Sequence, residues 1–129
     1  MTNERLHTLN QEILRAAIRV HEKLGPRRLA PEYEACLMFE LIEEGLCLHR
    51  KERFTDEENN ASTRSADLIV EDEILVRIET VTCVRRNHHA EMRSALIREK
   101  RPLGVLLNFH AQWIRNGAKN IRPLEGARA

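Results

Sequence analysis

Three charged side chains sit inside segments that otherwise read as buried strand. Asp67 interrupts the apolar run "ADLIV", and Arg77 and Glu79 interrupt "LVRIETV". On a strand, residues two apart point to the same face, so Arg77 and Glu79 share one. Two carboxylates from neighbouring strands are what a hard divalent cation needs, and a nearby cation can stabilise charge developing on a phosphorus. Asp67 and Glu79 are therefore candidate metal ligands, with Mg²⁺ or Mn²⁺ as the cofactor if the set is active. Arg77 is a charge stabiliser and not a proton-transfer group, because a guanidinium stays protonated. A third carboxylate would have to come from Glu32, Glu34 or Glu91 on a helix facing the site.

The same residues also have a purely structural reading. A buried Arg77 bonded to Asp67 would make an internal ion pair, with no need of a cofactor. Breaking such a pair costs about 3–5 kcal/mol, which is reason enough for a fold to keep it. Other catalytic signatures are missing: the sequence has no phosphate-binding glycine loop, no H-E-x-x-H and no nucleophile elbow. His88 and His89 are adjacent, so on a helix they diverge rather than share a metal.

The elements that must position these residues follow from periodicity. In "HTLNQEILRAAIRVHEKLGP", Leu9, Ile13, Ala16, Ala17, Val20 and Leu24 recur at helical spacing. Thr8 with Gln11 suggests a capping box, and Gly25-Pro26 a stop. "PEYEACLMFELIEEG" predicts a second helix, with Pro31 in its first turn and Tyr33, Cys36, Leu37 and Leu41 inward. "LCLHRKERF" reads as extended, and "TDEENNASTRS" as a polar loop. "ADLIVEDEILVRIETV" reads as two strands meeting at Glu71-Asp72-Glu73. "HHAEMRSALIREK" predicts a third helix with Met92, Ala95 and Leu96 inward, and "PLGVLLNF" a buried strand. The tail "AQWIRNGAKNIRPL" suggests a turn at Asn116-Gly117 and a last edge strand, with Trp113 packing that segment. The order is α-α-β-β-β-α-β-(β), an α/β (α+β) layering of helices on a mixed sheet.

Neither a repeat nor a linker divides the chain, so one domain over residues 1–129 is expected. The formal net charge of +1 gives no general pull towards nucleic acid. Local basic doublets do: Arg27-Arg28 and Arg85-Arg86 are candidate phosphate contacts if they border the same cleft. Cys36, Cys47 and Cys83 are odd in number and scattered, which fits free thiols in a reducing compartment. No stretch has the length and apolarity of a membrane span, and a cytoplasmic location is expected.

Together these segments resemble the GxxExxY proteins, a small bacterial branch of the PD-(D/E)xK nuclease-like superfamily. "ILRAAIRVHEKLGP" is similar to that family's first helix and "YEACLMFELIEEGL" to its second. "ADLIVEDEILVRIETV" stands where the family has its catalytic hairpin, and "RPLGVLLNF" where it has a late core strand. The resemblance implies a restriction-endonuclease-like core over nearly the whole chain. It also implies where chemistry has been lost. The naming motif's glycine, glutamate and tyrosine fall on Arg27, Ala30 and Tyr33. The catalytic aspartate matches Asp67, but the E-x-K triplet falls on Arg77, Ile78 and Glu79, with acid and base exchanged. The later helix carries Glu91 and Ala95 where the family has a glutamine and an aromatic. The resemblance thus implies a degenerate, non-catalytic relative that binds nucleic acid or protein. The alternative is a metal-dependent nuclease rearranged around Asp67, Glu79 and Arg77. Nucleic acid, or a second copy of the chain paired through the last edge strand, are the partners in view.

Overall fold

A computed structural model describes residues 2–52 and 66–123; the expected polar loop "TDEENNASTRS" and the end of the strand before it lie outside the described residues. Helix α1 spans Asn3–Leu24 and buries Leu6, Leu9, Ile13, Ala16, Ala17 and Val20, a stripe repeating every three or four residues. It starts a turn and a half before the expected Thr8 cap. Thr2 caps it instead, its hydroxyl accepting from the Arg5 amide at 3.1 Å, and the added residues carry Leu6 into the core. Gly25, at φ 75°, ends the helix in a conformation that a side chain would disfavour.

Helix α2 (Ala30–Glu43) opens with Pro31 in its first turn, and the Glu32 carboxylate accepts from the Leu29 amide at 3.0 Å. Tyr33, Leu37 and Leu41 face inward, and Cys36 is half-buried.

Strands β1 (Leu48–Glu52), β2 (Ala66–Val70) and β3 (Ile74–Glu79) form an antiparallel meander. Glu71 and Asp72, with φ of 53° and 58°, make the tight turn between β2 and β3. Two consecutive left-handed residues suit the right-handed twist of a hairpin. Helix α3 (Arg86–Glu99) then crosses over to β4 (Leu103–Asn108), which lies parallel to β3.

A single helical turn, α4 (Ile114–Gly117), leads into β5 (Ala118–Ile121), antiparallel to β4. The turn expected at Asn116-Gly117 is the end of that helical turn, and the last edge strand follows it. Gly117 is needed for close approach: a Cβ there would lie 2.4 Å from the Asn108 carbonyl oxygen. The sheet order is β1-β2-β3-β4-β5.

Alternation along the strands divides the core in two. Leu68, Val70, Ile74, Val76, Ile78, Val105 and Leu107 pack under α1 and α2. Leu75, Leu106 and Ile121 pack under Met92, Ala95 and Leu96 of α3. Gly104 lets α3 come close, since a Cβ there would already sit 3.0 Å from the Met92 methyl. No helix among the described residues is long and apolar enough to cross a membrane.

Candidate functional site

Leu75 faces α3, so Arg77 and Glu79, two and four residues further along β3, face it too. On β2, Asp67 is the direct cross-strand partner of Arg77. The register follows from the tight Glu71-Asp72 turn, which fixes which residues of the two strands oppose each other. Arg77 donates to both carboxylate oxygens of Asp67, Nε to Oδ1 at 2.9 Å and Nη2 to Oδ2 at 2.7 Å. Arg77 is 3% exposed and Asp67 6%. Such a fork is the strongest pairing a guanidinium makes with a carboxylate. Burial draws the Arg77 pKa down, but the hydrogen bonds and charge of Asp67, with the charges of Glu79 and Glu91, outweigh it and raise it. Arg77 thus stays charged.

The three expected residues are brought to one face, with Asp67 and Arg77 in contact and Glu79 half-buried at the end of β3. The expected third carboxylates part company. Glu91 of α3 lies near enough for its charge to act on Arg77. Glu34 is buried but faces the other way: it accepts from the Arg50 Nε, and Arg50 opposes Leu68, which packs under α1 and α2. Glu32 caps α2. Beside Asp67, an open pocket of about 520 Å³ is lined by Lys51, Glu52, Arg98 and Glu99, with Lys51 bonded to Glu99 at 2.9 Å. A hard divalent cation takes several oxygen ligands. Among the described residues no three His, Cys, Asp or Glu side chains converge to supply them. The described residues do not fit a metal centre.

The basic doublets meet at one end of the molecule. Because β3 and β4 run parallel, their C-terminal ends lie side by side, and the Phe109 amide bonds the Glu79 carbonyl at 3.0 Å. Arg27 and Arg28, in the α1–α2 loop, line a pocket of about 650 Å³ with Leu29, Thr82, His110 and Gln112. Arg85 and Arg86, at the start of α3, line a second hollow with Val84, His89 and Arg93. The loop of residues 80–85 contributes to both. Among the described residues, Arg27, Arg85, Arg86 and Arg93 make no ion pair, while Arg28 reaches Glu32 only at 3.6 Å across the surface.

Two bracing residues escaped sequence reasoning. Asn108, almost fully buried, donates to the Val81 carbonyl at 2.9 Å and accepts from its amide at 3.1 Å, which holds the 80–85 loop. Its signal was a lone amide at the end of the apolar run "LGVLLNF". His110 bonds the Arg28 carbonyl through Nε2 at 2.9 Å. Tyr33 works on the same loop: its hydroxyl donates to the Gly25 carbonyl and accepts from the Arg28 amide at 3.1 Å. The Tyr33 ring stacks on Phe109 at 4.6 Å, and burial raises its pKa. Trp113, expected to pack the final segment, is instead 64% exposed. Ile114 and Gly117 fill the space against the sheet, so the core has no use for the indole.

A two-helix, three-strand, helix, strand order with an aspartate opposite a charged pair on the next strand is a nuclease-like arrangement. A sequence model of the PD-(D/E)XK nuclease superfamily matches residues 7–121. The chain belongs to that superfamily. No curated protein and no solved structure matches it. Within the matched span, the Asp67 carboxylate is answered across the ladder by the Arg77 guanidinium.

Proposed function

We propose that this PD-(D/E)XK domain does not cleave phosphodiesters and instead holds nucleic acid through its phosphates. The observation that carries the first half is the fork between Arg77 and Asp67. A cation between them would have to displace a buried guanidinium that repels it, and would leave that guanidinium without its carboxylate. The second half is supported by the arginines that border the carboxyl ends of β3 and β4, of which Arg27, Arg85, Arg86 and Arg93 make no ion pair among the described residues. In open sheets with parallel strands, ligands bind at the carboxyl ends of those strands. Within the superfamily, we place the chain in the GxxExxY branch on the helix and hairpin segments it shares and on Tyr33. The loss of the branch's glycine and glutamate, at Arg27 and Ala30, belongs to the same retreat from catalysis.

The test has two arms. DNA and RNA, single-stranded and duplex, are incubated with the protein and Mg²⁺ or Mn²⁺, and no cleavage is expected. Cleavage that chelator and Asp67→Ala both abolish would overturn the first half and restore a rearranged nuclease using Asp67 and Glu79. Gel shifts at about 50 and 200 mM salt test the second half, with a steep loss of affinity expected between them. Arg85→Glu with Arg86→Glu should flatten that salt dependence, and absence of binding at low salt sinks the binding role.

A further inference from the structure

The basic end carries one feature that phosphate binding does not use. Trp113, the sole tryptophan of the chain, is 64% exposed and immediately follows Gln112 in the wall of the pocket that holds Arg27 and Arg28. Leu29, in the same wall, is 70% exposed. A single exposed apolar residue is ordinary on a protein surface. An exposed indole next to a wall that carries an exposed leucine, Arg28 and an Arg27 that makes no ion pair among the described residues is different, because that mixture matches one kind of polymer.

Resting on the phosphate-binding reading above, we infer that this pocket recognises single-stranded nucleic acid, with Trp113 stacking on an unpaired base while Arg27 and Arg28 hold the adjacent phosphates. A duplex keeps both faces of its bases covered by their neighbours, so an indole gains nothing from it. An unstacked strand offers a free π-face at every residue. A pocket of about 650 Å³ lies within the range of small-ligand sites and is large enough for a nucleotide.

The surroundings give the arrangement its stiffness. The loop bearing the two arginines is fixed at Arg28 by Tyr33 and His110, as its amide and carbonyl are both bonded. The far wall is tied down as well, because His21 bonds the Ala111 carbonyl through Nε2 at 3.0 Å. Holding both walls in place before a ligand arrives lowers the ordering cost of binding. Gln112 and Thr82 add polar groups that can meet a base edge or a sugar without charge.

Because Trp113 is the one indole and adjoins Gln112 of the pocket wall, its emission reports on the surface beside this pocket. The whole protein is titrated with a single strand of roughly 12 nucleotides, as DNA and as RNA, and with the matching duplex. Quenching by the single strands and little by the duplex is expected. Trp113→Ala should weaken single-strand binding by about 5- to 150-fold, leave duplex binding unchanged, and be rescued in large part by Trp113→Phe. If strand and duplex bind equally and Trp113→Ala alters neither, this inference falls while phosphate binding stands. If neither binds at low salt, both fall. Should Trp113→Ala fail to fold by circular dichroism, the wild-type emission decides: equal quenching by strand and duplex, or none, overturns the assignment.

Discussion

Replacing Arg77 by alanine should cost this fold about 3–5 kcal/mol, far more than a typical surface substitution. The change removes both hydrogen bonds that Asp67 takes from the guanidinium, at 2.9 and 2.7 Å, in a place where Asp67 is 6% exposed. A protein of this size has roughly 5–15 kcal/mol of stability in all, so about a fifth or more is at stake. In urea, with a slope of about 2 kcal/mol per molar, the midpoint should fall by roughly 2 M. The assay is equilibrium unfolding followed by circular dichroism, since the exposed Trp113 already samples water in the native state. The double variant Asp67→Leu with Arg77→Met separates a costly broken pair from a favourable intact one. It removes both charges and should recover most of the loss, because a buried ion pair and a packed apolar pair of similar volume are often close in stability. A loss below about 1 kcal/mol for Arg77→Ala would refute the reasoning, as would a double variant no more stable than the single one.

Other consequences are open to quick measurement. Adding about 1 mM Mn²⁺ to the wild type should leave the melting temperature unchanged, and a clear rise would show that a cation binds the native state. Glu40 accepts from Arg19 at 2.7 Å and from Lys23, and these partners hold its carboxyl below the ordinary value. A lowered native pKa stabilises the fold above the unfolded value near 4.3, and that contribution is lost as pH falls through the native one. Glu40→Gln should therefore destabilise at neutral pH, and its gap to the wild type should close in urea titrations carried down to about pH 3. Tyr33→Phe deletes the hydroxyl that clamps Gly25 and Arg28, with an expected loss of about 1–3 kcal/mol and weaker nucleic-acid binding. Unaltered binding with full stability would remove Tyr33 from the pocket's framework.

The helices and strands were legible because their apolar residues keep a strict period, as in Leu9, Ile13, Ala16 and Val20, or in Leu75 to Ile78. That Arg77 and Glu79 share a face was legible from spacing. That Asp67 stands opposite Arg77 and not one residue away was not, because register depends on the backbone of Glu71 and Asp72, and Glu71 is not a typical left-handed residue. The meeting of Arg27-Arg28 with Arg85-Arg86 at one end needed the parallel pairing of β3 and β4, which no local pattern encodes. The first cap was misplaced because Thr2 and Thr8 offer the same hydroxyl, and burial of Leu6 decides between them. Trp113 was expected to pack the final segment, whereas Ile114 and Gly117 are the buried residues of that turn and the indole is left exposed.

The pairing of Arg77 with Asp67 also acts as an evolutionary ratchet. Placing an acid at position 77 by one substitution would set two largely buried carboxylates side by side, with no metal-binding set among the described residues to reward the step. Changing Asp67 first strands the guanidinium instead. Either intermediate gives up a large share of the fold's stability, so natural variation around this scaffold should drift in its arginine-rich loops while residues 67 and 77 change together or not at all.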